Sequence, residues 1–170
     1  MNIRIALSIS QTSCVGLIGV FACLVSLNNI LDYQSNFEFV RHVLSMDTTF
    51  EGNKLMNRAI ETSYLHHIAY AVIIFLEASI GLINLVAAGL MISAIRTSDS
   101  MRFSRAKGVA IVGLTIGFIL WFGGFMIVGA EWFLMWQSPS WNGQTAAFRF
   151  SSIILGLSLI HISEPTRQDR

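Results

Sequence analysis

Charge is what this chain has least of. Only 12% of its 170 residues are charged, 11 basic against 10 acidic, where soluble domains carry about twice that share. The near balance of sign gives a phosphate backbone nothing to bind, so no nucleic acid is expected as a partner. Proline occurs twice and no low-complexity run appears, which excludes a linker and a second domain. The two cysteines, Cys14 and Cys23, point to opposite faces of a helix and cannot pair with each other. A Gly-rich phosphate loop, a nucleophile elbow and a paired-acid constellation are all missing, so no catalytic residue, no cofactor and no enzyme activity are expected.

What the chain has instead is apolar length. Hydrophobic residues make up 54% of it and the mean hydropathy is +0.61. Residues 5–28, 68–95 and 109–133 each exceed the ~20 residues a helix needs to cross the hydrocarbon core. The first follows Arg4 and lacks a small-residue cleavage motif, so it is expected to be a retained signal anchor. A fourth apolar segment begins near Ala146. From Leu157 it reads "LSLIHISEPTR", which resembles one translated frame of a transposase adapter used in sequencing libraries. Residues 146–156 are too few to span a membrane. The expectation is a single transmembrane domain over 1–156, with residues 157–170 a non-native tail that completes the fourth helix.

Lysine and arginine orient the spans. The loop 96–108 holds Arg96, Arg102, Arg105 and Lys107 against Asp99, whereas 137–145 holds no basic residue. The fold class predicted is therefore an all-α membrane protein with four transmembrane helices and both termini cytoplasmic. Residues 32–67 and 137–145 then share the outer, periplasmic side.

The outer segment contains "NFEFVRHVLSMDTTFEGN". Projected at ~100° per residue, Phe37, Phe39, Val40, Val43, Leu44 and Met46 fall on one half of a wheel and Glu38, Arg41, His42 and Ser45 on the other. That amphipathy predicts a short helix over 35–46, resting either on lipid or on the bundle. Ser35 and Glu38 have capping-box spacing at its start, and Asp47-Thr48-Thr49 favours an end. Asn53 is placed to cap a second short helix over 54–62.

Inside the membrane Glu77 is the costliest residue, placed near mid-bilayer and needing a partner, protonation or water. Asn84 follows on the same face, and Glu77 and Asn84 are the intramembrane polar candidates, either for bundle packing or for a proton or ion pathway. Gly113, Gly117, Gly124 and Glu131 align on the third span. Glu131 and Arg149, at the outer ends of consecutive helices, are expected to form an interfacial ion pair. Trp132, Trp136 and Trp141 suit an aromatic belt. His42, Asp47, His66 and His67 match no metal spacing, and a haem would want histidines deeper in the spans.

Three stretches, "DYQSNFEFVRHVLSMDTTF", "RAI" at 58–60 and "EWFLMWQSPSWNGQTAAFRF" from Glu131, resemble the bacterial small integral membrane proteins grouped as domain of unknown function 2165. The resemblance extends to Gly156. It implies a four-helix protein of the bacterial inner membrane and assigns no active residues. Arg41, His42, Asp47, Trp132, Trp136, Trp141 and Asn142 are its outer-surface motif candidates. The expected role is a non-enzymatic accessory or scaffold component that contacts the bilayer and another membrane protein. The alternatives are a small proton-coupled transporter or channel using Glu77 and Asn84, and a quinone- or haem-associated redox subunit.

Overall fold

The computed structural model describes residues 3–158, and every regular element among them is helical. Three helices are long and apolar enough to cross a membrane: α1 (Ile3–Leu31), α3 (Ser63–Arg96) and the continuous run Ser100–Trp132. The last begins as α4 (Ser100–Phe118) and continues as a π-wound stretch, Ile119–Trp132. Between α1 and α3 lies α2 (Tyr33–Ser45), and α5 (Gln144–Gly156) follows the third span.

α1 and α3 run antiparallel with their backbones almost touching. A Cβ on Gly81 would lie 2.8 Å from the amide nitrogen of Cys23, so only glycine permits this approach. α3 and α4 pack as closely at Gly113, where a Cβ would lie 2.9 Å from Cγ of Asn84. Around these seams Val15, Ala22, Ile80, Met91, Ala110 and Leu114 form the main core, joined from α5 by Ile154. The α3–α4 turn places Ser98 at a φ of 54°, and Asp99 caps α4 by accepting from the amide of Arg102 at 2.9 Å. Leu17, Phe75, Leu82 and Ile119 are exposed on the outside of the bundle, the distribution a hydrocarbon solvent selects.

The third span departs from its expected winding. An apolar, aromatic-rich stretch containing Gly123 and Gly124 carries π-type closure over 14 residues, where single turns are usual. Closing i→i+5 rather than i→i+4 adds a residue to each turn and rotates everything downstream. Gly113 therefore meets Asn84 and Gly117 meets Ile154, but the nearest side chain to Gly124 is Leu120 of its own helix. The stripe expected to run from Gly113 to Glu131 is broken at residue 119.

α2 covers one end of the bundle and rests on protein. Phe37, Val40 and Val43 are buried. Phe37 and Val40 pack with Tyr70 of α3, while Val43 and Met46 pack with Ala130, Phe133, Leu134 and Met135. The chain enters α2 almost directly from α1, the Asp32 amide still donating to Asn28 O at 2.8 Å. The expected capping box does not form. The helix starts at Tyr33, Ser35 Oγ donates to Asp32 Oδ2 at 2.7 Å, and Glu38 turns to Arg41 instead. α2 stops where Met46 takes a left-handed conformation, φ 54°, held there by a side chain only 1% exposed.

The second short helix is reduced to one 3-10 turn, Met56–Arg58. Asn53 Oδ1 accepts from the amide of Leu55 at 2.9 Å, and the Ile60 amide donates to Leu44 O at 2.8 Å. Pairing with the lid takes a backbone donor that a helix would have used internally. α5 has 13 described residues, about 20 Å at 1.5 Å each. The tail expected to complete it lies almost wholly outside the described residues.

Candidate functional site

Two polar clusters mark the end of the bundle that α2 covers, here called the lid end. The first is on the surface. Arg41 donates from Nε to Glu38 Oε2 at 2.7 Å and from Nη2 to His42 Nε2 at 2.8 Å. Since His42 Nε2 accepts, Nδ1 carries the ring proton and donates to Asp47, whose two oxygens lie 2.8 Å away. The His42 ring stacks on Trp141 at 4.6 Å and 13°, which carries the network across to residues 138–143. Ser138 Oγ there accepts from Thr48 Oγ1 at 2.8 Å and from the Trp141 amide at 2.9 Å. The Arg41 guanidinium beside Glu38 holds that carboxyl below its ordinary value of 4.5.

The remaining motif candidates serve separate purposes. Arg58 lies over the Trp132 ring, 4.5 Å from its centroid, and donates to Trp132 O at 3.3 Å. Trp136 meets Phe50 edge-on at 5.8 Å. Asn142 Oδ1 accepts from the Gln144 amide at 3.0 Å and so begins α5. Glu131 and Arg149 are both exposed, and no ion pair joins them among the described residues. The π winding changes the direction in which the end of the third span presents its side chains, so consecutive helices no longer bring these two charges together.

The second cluster is internal. Glu77 is 3% exposed, and its Oε2 accepts from Asn29 Nδ2 of α1 at 2.7 Å. Asn29 Oδ1 in turn accepts from Asn36 Nδ2 of α2 at 2.7 Å. Tyr70 donates to Asn29 O at 3.2 Å, and Ser26 Oγ to Ile74 O at 3.2 Å. Glu77 is thus level with the last turn of α1, although it stands near the middle of α3, which projects past α1 at the lid end.

Asn84 does not join this cluster. Its Nδ2 donates to Ile80 O at 2.8 Å, within its own helix, and its fully buried Oδ1 has no hydrogen-bond partner. Asn29 and Asn36 escaped sequence analysis. Their signal was a spacing of two helical turns, hidden because Asp32 interrupts the helix between them.

The histidines do not converge. His66 is buried with Nε2 2.7 Å from Ile60 O, whereas His67 stacks on Phe37 at 4.1 Å with Nδ1 2.8 Å from Tyr33 Oη. Burial raises the Tyr33 phenol above its ordinary value. Among the described residues no group of three or more His, Cys, Asp or Glu could hold a metal ion.

The family described as "Predicted small integral membrane protein (DUF2165)" matches residues 7–164. The chain belongs to this family. No curated protein and no solved structure matches it. Membership as a domain of unknown function 2165 protein agrees with three apolar crossings and supplies no reaction.

Proposed function

We propose that this protein is a non-enzymatic accessory component of a bacterial inner-membrane complex and that the lid end docks its partner. The reading includes a fourth crossing that begins with α5 and cytoplasmic termini, as the basic residues of 96–108 favour. One observation carries the docking role. Glu38, Arg41, His42 and Asp47 are fastened to one another and to Trp141, giving a fixed arrangement of charge beside partly exposed aromatic rings. Preorganised groups of this kind lose little entropy when a partner binds.

Affinity purification in mild detergent, comparing the wild type with Arg41→Glu and Trp141→Ala, tests the reading. Proteins that co-elute with the wild type and are lost from both variants support docking at the lid. An identical co-eluting set from all three forms overturns it.

A further inference from the structure

A carboxyl group buried in a membrane bundle needs either a counter-charge or a proton. What Glu77 has is a chain of neutral amides leading to the surface. The structure assigns Glu77 as a proton-binding site served from the lid end of the bundle, through Asn29 and Asn36. This inference stands independently of the docking role.

The polarity of the chain suits a proton. Asn36 Nδ2 donates to Asn29 Oδ1, so Asn29 must turn its amide nitrogen toward Glu77, to which it donates at 2.7 Å. A carboxyl group with a proton on one oxygen can still accept from Asn29 on the other, so both charge states keep the chain intact.

Among the described residues no counter-charge pairs with Glu77. The titratable groups facing this region are Tyr70 on the same helix, Tyr33 on α2, Asp32 between α1 and α2, and the exposed His67, whose Nδ1 lies 2.8 Å from the Tyr33 hydroxyl. α1 contributes the neutral Asn29 and Ser26. The antiparallel pairing of Asn84 with Gly113 sets the third span level with Glu77 near Leu120, and residues 116–124 contain no charged side chain.

Access is one-sided. Asn36 is exposed, so the amide chain offers water a polar lane from the lid end inward; the proton comes from solvent and returns to it. Beyond Glu77 the lane stops. Gly81 is pressed against Cys23, and Asn84, whose Nδ2 donates to Ile80 O of its own helix, shares no hydrogen bond with Glu77 or Asn29 among the described residues. The site therefore takes up and releases a proton at one end and does not conduct it across.

Infrared difference spectroscopy of the protein in lipid tests this. Between about pH 6 and about pH 10, above ordinary carboxyl values and up to that of tyrosine, one protonated-carboxyl C=O band should titrate. It should shift in D2O and be absent from Glu77→Gln. In Asn36→Leu, a change at an exposed position that leaves the core alone, the deuterium exchange of that band should slow roughly tenfold, the factor of one lost hydrogen bond in the access step. A spectrum with no titrating buried carboxyl overturns the site. A titrating band with the same exchange rate in Asn36→Leu overturns its entry from the lid end.

Discussion

Gly81 and Gly113 close the same bundle against different kinds of neighbour. At Gly81 the obstacle to a side chain is the backbone of Cys23, which can yield only if α1 moves; at Gly113 it is the side chain of Asn84. Gly81→Ala should therefore cost about 2 kcal/mol and Gly113→Ala nearer ~1 kcal/mol, within the range for overpacked interiors. Thermal unfolding of the two variants in one detergent gives the order; equal losses would contradict it.

Glu38 sets a pH dependence at the same scale. Hydrogen bonding and charge from Arg41 lower its folded-state pKa below 4.5. Its contribution to lid stability is thus complete above that value and is lost as the pH falls through the lowered one. Hydrogen exchange of α2 should accelerate on acidification below pH 4.5 in the wild type, and this acidic component should be missing from Glu38→Gln. Single residues were only partly legible in the sequence. Glu77 announced itself by its cost in hydrocarbon, but its partner depended on the register of α1 against α3, which no local pattern encodes.

Among the elements, the lid helix was the most legible, because Phe37, Val40 and Val43 recur at helical spacing and all three are buried. Sequence left open whether they met lipid or protein, since an apolar face fits both. The segment after it was misjudged for a related reason: the Ile60 amide pairs with Leu44 O, a long-range bond that outweighs local capping chemistry. The π winding was invisible, because a stretch apolar on every side has no phase to read. Phe37→Ala should cost about 3 kcal/mol, as for a buried aromatic elsewhere, and should raise exchange throughout α2 while sparing the α1–α3 seam. Uniform loss of protection across the protein would show that the lid does not unfold separately.

For the whole molecule the property to test is the orientation of the third span. With the basic loop 96–108 inside, a cysteine at Met101→Cys lies in the cytoplasm and one at Ser140→Cys outside. In cells of a form lacking Cys14 and Cys23, an impermeant maleimide should label only the second; the reverse pattern would invert the orientation. The resemblance of residues 157–170 to an adapter is checked on DNA: a genomic clone should diverge from this sequence at the codon for Leu157. A clone encoding the same residues would make them native, consistent with the family match reaching residue 164.

The π-wound stretch also determines how far the third span reaches. Wound as α-helix throughout, the 33 residues of the third span would extend ~50 Å, far beyond a hydrocarbon layer of ~30 Å. Wider turns advance less per residue, so the stretch draws its end loop inward, toward the rest of the bundle. Rewinding even one turn would lengthen the span and lift residues 133–143. The winding of the third span thereby fixes the height at which Trp141 is seated.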